Sequence, residues 1–226
     1  MKLNEFVNFF TYYKGEPQQK AGVEELYNEL PPGLKDNLAN WVRTYRSKPE
    51  TTGKVLDVKY FSQRDNYRDA NRTCFSSSCA MMLEYLEPGT LPGDKGDDKY
   101  IETVFNIGDT TEAWVHVNSL KTYGVDVSYI QNGSPDTLRS QIDKGKPVPI
   151  GILHHGPANA PSGGGHWICV IGYDDTGFIV NDPWGKIDHA SGTYVSTNGE
   201  RLHYSNDLIG SRWTVDTASD GWAIIA

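Results

Sequence analysis

The chain has 226 residues, of which 38% are hydrophobic, 12% aromatic and 22% charged, a make-up that excludes a disordered polymer and suits one good-sized domain with a small appendage. A formal net charge of -8 with no lysine- or arginine-rich run excludes the basic stripe of a nucleic-acid binder, and long-range charge would repel the chain from an anionic surface. Three cysteines, Cys74, Cys79 and Cys169, are too few and too odd in number for a disulfide scaffold.

Residues 1–46 read as three short amphipathic helices. Phe6, Phe9, Phe10 and Tyr13 follow the i, i+3, i+4, i+7 rule of a single apolar face, and Val23, Leu26, Tyr27 and Leu30 repeat it. Pro31-Pro32 breaks the chain and opens a third helix, with Leu34, Leu38, Trp41, Val42 and Tyr45 along one side. The opening MKLNEFVNFF is interrupted by Asn4, Glu5 and Asn8, so it lacks the roughly 7–15 unbroken apolar residues of a secretory signal. No stretch approaches the ~20 apolar residues that span a bilayer. Cytoplasmic synthesis is therefore expected.

Residues 47–54 (SKPETTGK) are polar and aperiodic and read as a linker. Beyond it the pattern predicts a strand over 55–61, helices over 73–86, 99–105 and 111–123, and a strand over 125–130. Further β-branched strands are expected at 147–153, 166–173 and 177–181. Helices followed by mostly antiparallel strands make the expected fold class α+β.

Chemistry-bearing residues fall in four places along 55–226. In Thr73-Cys74-Phe75-Ser76-Ser77-Ser78-Cys79, Thr73 can cap a helix and put Cys74 in its first turn, where free N–H groups and the helix dipole favour a thiolate. Cys79 and Cys169 sit in apolar runs and read as packing; taken alone, Cys74 would read the same way. Gly163-Gly164-Gly165 allows close approach of another backbone and delivers His166 at the mouth of a buried strand. Asp174-Asp175-Thr176-Gly177 is turn chemistry, so the strands around it should form a hairpin that carries His166 and Asp182 to one end. Asp182 could then orient the imidazole, or could merely cap the turn at Pro183; the Asn181 side chain should point to the opposite face. Gln63, eleven residues before Cys74, offers an amide N–H for an oxyanion hole.

The ordered set VKYFSQRDN (58–66), TCFSSSCAMML (73–83), GGHWICVIGYDD (164–175) and VNDPWG (180–185) resembles the bacteriocin-processing-type peptidases of the papain-like clan, best their stand-alone members. The resemblance spans about residues 55–226. It implies a papain-like cysteine peptidase domain with Cys74 as nucleophile, His166 as general base and acid, Asp182 as orienting residue and Gln63 in the oxyanion hole. Phe75-Ser76 departs from the small or Gly-Pro residues common there, which bears on pocket shape. Transporter-linked members cut a double-glycine leader and carry membrane segments, which this sequence lacks. Residues 1–46, by their aromatic spacing and the YYKGEP turn, resemble helical modules of phage lysis enzymes. Together these imply an endolysin that cuts peptidoglycan peptides, stored in the cytoplasm and acting at the wall, with the helices as a targeting module. A protease with a protein substrate, or a non-catalytic wall- or partner-binding protein on the same fold, are the alternatives.

No cofactor, metal or nucleic acid is expected, and a monomer is. His154-His155, His166 and the cysteines match no zinc pattern. Asp94, Asp97 and Asp98 could hold calcium but read better as a solvated turn. His154 and His155 read as solvent-facing residues of a Gly/Pro-rich stretch that could flap over the cleft. Trp184 could shield the His–Asp pair from water or belong to the core.

Overall fold

A computed structural model describes residues 53–226 together with Pro31 and Leu34. The chain divides into two units, Met1–Thr51 and Thr52–Ala226, and the second is treated below. The helices expected over 1–46 and most of the 47–54 linker lie outside the described residues. Lys54, at the linker's end, already pairs in a sheet opposite Tyr173.

The described chain order is β1 (Lys54–Val55), a 3-10 turn (Gln63–Asp65), α1 (Cys74–Leu86), α2 (Asp97–Ile107), α3 (Ala113–Thr122), β2 (Ser128–Gly133), α4 (Pro135–Asp143), β3 (Val148–Ile152), β4 (His166–Tyr173), β5 (Gly177–Asn181), β6 (Lys186–Ile187), β7 (Tyr194–Ser196), β8 (Leu202–Ser205), α5 (Asn206–Arg212) and β9 (Gly221–Ile225). The fold is α+β. Seven strands form one antiparallel sheet in the order β2-β9-β3-β4-β5-β8, with β1 paired to the far end of β4, where β3 stops. Of the strand expected over 55–61, only Val55 enters the ladder; Leu56, Val58 and Phe61 bury their side chains from an extended segment instead. The strand expected at 125–130 is displaced to Ser128–Gly133, while Val125 and Val127 are buried just before it.

Two elements make the centre. Every residue of β4 is buried, and Ile168, Val170 and Ile171 are wholly so. Burying such side chains contributes roughly 1.5–3 kcal/mol apiece. Helix α1 packs on β4 and β3 and is covered in turn by α2 and α3, so Cys74 to Leu83 are all buried. A helix surrounded in this way is apolar on most sides, and Ala80, Met81, Met82 and Leu83 supply that surface. Its serines are buried as well and need partners: Ser76 Oγ lies 2.7 Å from Thr110 Oγ1, and Ser77 Oγ donates to Asp97 Oδ2 at 2.7 Å.

Helix α4, absent from the expectations above, begins with a reciprocal cap: Thr137 N–H donates to Ser134 Oγ and Ser134 N–H to Thr137 Oγ1, with Pro135 at the first helical position. The β4–β5 hairpin closes on the expected turn, where Asp174 Oδ1 accepts from the N–H groups of Thr176 (2.7 Å) and Gly177 (2.9 Å).

Asp97 corrects the solvated-turn reading of the acidic cluster. It opens α2 with only 2% of its surface exposed, against Ser77 and Asn66. Burial raises its carboxyl above the usual carboxylate range; the hydrogen bonds from Ser77 and, at 2.9 Å, from the Asn66 amide oppose this, and the charges of Asp98 and Asp65 add to it. A carboxyl whose folded pKa is raised contributes stability below its unfolded value, and that contribution is lost as pH climbs above about 4. Asp97→Asn, which cannot ionise, should therefore gain on the wild type by about 1 kcal/mol between pH 5 and pH 8. Urea unfolding of both proteins at the two pH values measures this; a gap independent of pH would contradict it.

Candidate active site

The first turn of α1 presents Cys74, 7% exposed, at the open end of the sheet. Thr73 occupies the capping position, but its hydroxyl makes no cap and turns to the Asn66 side chain instead. The first N–H groups of the helix accordingly have no carbonyl of their own turn to bond. Cys74 Sγ lies 3.4 Å from the carbonyl oxygen of Gly165, whose φ of +101° favours glycine.

His166 begins β4 and Asp182 directly follows β5, so the hairpin sets them side by side. The imidazole Nε2–H donates to Asp182 Oδ1 at 2.8 Å, which leaves the other ring nitrogen without a bond to the carboxylate. Burial works against charge on His166, but the Asp182 carboxylate and then Cys74 outweigh it and hold the imidazole above its ordinary pKa. Asp182 is wholly buried and well supplied with donors: Trp184 N–H (3.0 Å) and Gly185 N–H (3.3 Å) reach Oδ1, and Tyr204 O–H donates to Oδ2 at 2.9 Å. Its backbone is held equally closely, since Asp182 N–H donates to Gly199 O at 2.8 Å and any Cβ at Gly199 would collide with the Asp182 carbonyl. Asn181 does point away: it donates to Val58 O and accepts from Arg201 N–H.

Gln63 lies in the 3-10 turn and is 2% exposed. Its Nε2 donates one hydrogen to Ala70 O at 2.8 Å, and its N–H donates to Pro183 O at 3.1 Å, which ties the turn to the segment after Asp182. Cys79 and Cys169 are buried free thiols in the core, raised in pKa by burial.

Three side chains at this end, Tyr204, Tyr194 and Arg212, carried no role in the sequence reading. Tyr204, on β8, is the hydroxyl on Asp182. Tyr194, on β7, sets its ring edge-on to His166 at 5.9 Å between centroids. His154 also belongs here and corrects the solvent-facing reading: its ring is 5.2 Å from His166, and burial, reinforced by His166 and His155, lowers it to about 4. The stretch after it is pinned. His155 and Ser162 exchange backbone hydrogen bonds, and the buried Arg212 donates to the carbonyls of Leu153, His155, Gly156 and His189 at 2.8–3.1 Å. Trp184 is half-buried under the Arg64 guanidinium, 4.1 Å from its ring, and beside Tyr194. Alternation in RLHYS and the tryptophans near the C-terminus hinted at β8 and β9, but spacing cannot show which residue meets Asp182.

Among the described residues no three or more His, Cys, Asp or Glu gather where a metal could bind, and no helix is long and apolar enough to cross a membrane.

A cysteine that opens a buried central helix, next to a sheet strand that begins with an aspartate-paired histidine, is an arrangement suited to a cysteine peptidase. Residues 55–206 match the model of the Peptidase C39-like family, and the chain belongs to that family. Solved structures with a similar fold include the peptidase domain of Streptococcus ComA, a bi-functional ABC transporter involved in quorum sensing (16% identity, 74% of this chain and 96% of that one, TM-score 0.49). A C39-like peptidase from Bacillus anthracis shares 18% identity (76% and 96% covered, TM-score 0.44), and a Carica candamarcensis cysteine protease 11% (76% and 92%, TM-score 0.43). A search of curated proteins finds no match.

Tyr204→Phe should cost about 1–3 kcal/mol of stability, because it leaves a buried carboxylate oxygen short of its donor. It should also slow alkylation of Cys74 by iodoacetamide at pH 7, since a less firmly held Asp182 supports the charged imidazole less well. Urea unfolding and mass spectrometry of the alkylated thiol measure the two effects; no change in either would contradict the role given to this hydroxyl.

Proposed function

We propose that the chain hydrolyses peptide bonds through a Cys74–His166–Asp182 triad, and that its substrate is the peptide of peptidoglycan, as in a phage-type endolysin. The observation that carries the chemistry is the His166 Nε2–Asp182 Oδ1 bond of 2.8 Å, together with Cys74 Sγ lying 3.4 Å from the carbonyl of Gly165, the residue before His166. Cys74 Sγ attacks the carbonyl carbon while its proton passes to His166. The negative oxygen is met by the Cys74 N–H and the second hydrogen of Gln63 Nε2, the one not bonded to Ala70. His166 returns the proton to the leaving amine as the thioester forms. Water then attacks the thioester, again losing a proton to His166, which passes it back to sulfur as the acid departs. Asp182 holds the ring in the tautomer this requires. The wall substrate and action there after cytoplasmic synthesis are supported by the likeness of residues 1–46 to lysis-enzyme modules.

One feature favours a protein substrate as a second reading. A cavity of about 300 Å³ opens beside Cys74, and Phe75, Ala113, Tyr129, Trp167 and Trp222 line it. Phe75 and Trp167 stack at 3.5 Å, and Tyr129 sets its ring edge to Trp222. Such walls suit a bulky apolar side chain next to the bond that is cut.

Purified protein incubated with peptidoglycan sacculi and, separately, with denatured casein should release new amine ends from the sacculi, mapped by mass spectrometry. Cys74→Ala should reduce this by more than about 1,000-fold. Ends from casein beside a bulky apolar residue, with none from sacculi, would move the assignment to the second reading. Undiminished cleavage by Cys74→Ala would sink both.

A further inference from the structure

The 3-10 turn that carries Gln63 is tied on one side to Pro183. On its other side it meets the start of α1 through a single buried amide. Asn66 directly follows the turn, and its N–H closes it onto Gln63 O at 3.3 Å. Its side chain then lies between two acceptors and two hydroxyls. Nδ2 donates to Asp97 Oδ2 at 2.9 Å and to Ser62 O at 3.3 Å. Oδ1 accepts from Thr73 Oγ1 at 2.8 Å, with Ser77 Oγ at 3.0 Å. The reverse orientation would set the amide oxygen against the Asp97 carboxyl. Thr73 and Ser77 belong to the helix that begins at Cys74, Ser62 begins the Gln63 turn, and Asp97 begins α2. All of these side chains except that of Ser62, which contributes only its carbonyl, are buried.

We propose that Asn66 is a positioning residue for the reaction at Cys74: its amide clamps the Gln63 turn to the first turn of α1 and so sets the distance between the two oxyanion donors. This rests on the roles proposed above for Cys74 and Gln63. Few side chains could replace it. The site asks for a donor end facing a carboxyl and a carbonyl, and an acceptor end facing hydroxyls, on a short planar group. Leucine would take the amide from the buried Asp97 carboxyl and from the buried Thr73 hydroxyl, and aspartate would face Asp97 with a like charge. Oxyanion geometry tolerates little play, because a donor displaced by about 1 Å loses much of its effect.

A pair of reactions on one thiol separates this role from mere support of the fold. Hydrolysis of N-acetylglycine 4-nitrophenyl ester passes through a tetrahedral oxyanion; alkylation of Cys74 by iodoacetamide does not. Asn66→Ala should lower kcat for the ester by about 10- to 100-fold with KM within about twofold, and leave the alkylation rate within about twofold. Thr73→Val, which keeps its shape and loses one hydroxyl, should show the same split to a lesser depth, and it decides the matter if Asn66→Ala does not fold. Because Asn66 would act through Gln63, the double variant Asn66→Ala with Gln63→Ala should be no slower on the ester than Gln63→Ala alone.

Wild-type ester turnover in the folded variants would overturn the proposal, as would equal losses in both reactions or additive losses in the double variant. If instead Cys74→Ala still turns over the ester, or Gln63→Ala is silent, the triad or oxyanion assignment itself has failed, and that result is recognisable without reference to Asn66.

Discussion

Asp182 lies wholly out of water, and a carboxylate in such a place is stable only when donors and a cation meet its oxygens. Much of the architecture at this end of the sheet answers that requirement. The hairpin of β4 and β5 brings up His166, the turn after Pro183 supplies two backbone N–H groups, and β8 contributes the Tyr204 hydroxyl. Gly199 allows a second stretch of backbone to close on Asp182 without a side chain between them. Removing any one of these donors leaves charge in a low-dielectric setting, where it is worth several times what it would be in water. The imidazole is consequently held in place with its charged form favoured, and Cys74 opens a helix that is buried from Cys74 to Leu83.

Enclosure is what makes that helix precise. α1 rests on β4 and is covered by α2 and α3, so its first turn cannot tilt without opening a packed core. The cost is a row of buried serines and a buried Asp97, each of which needs a partner. Thr110 meets Ser76 and Asp97 meets Ser77, while Asn66 bonds both Asp97 and Thr73 and so links the helix to the Gln63 turn. The polar network at the start of α1 and the donor set around Asp182 belong to the two elements that flank this site. They are joined by the bond from Gln63 N–H to Pro183 O.

Local pattern carried far in this chain where an element is internally consistent. His166–Tyr173 and Gly177–Asn181 were legible as strands because both are β-branched runs separated by a turn whose Asp174 bonds its own backbone. The helix at Cys74 was legible because serine, alanine, methionine and leucine follow a capping-type residue. Reading failed where tertiary contacts replaced local ones. Residues 56–61 alternate like a strand but lie extended without a ladder, and Thr73 looks like a cap while its hydroxyl is taken up by Asn66. His154 and Asp97 are polar residues in polar stretches, so nothing nearby in sequence announces that both are withdrawn from solvent.

By itself, then, the sequence determined the α+β class and the hairpin, because secondary structure and turn chemistry are set by neighbours within a few residues, while Cys74, His166, Asp182 and Gln63 were singled out together only by the motif resemblance. Only the tertiary structure decided what surrounds them: Tyr204 on Asp182, Arg212 on the carbonyls of the His154–Gly156 stretch, and Asn66 between Asp97 and Thr73. Those partners are separated by 7 to 57 residues along the chain. Their meeting depends on how the sheet, its covering helices and the C-terminal segments pack, and no local rule encodes that.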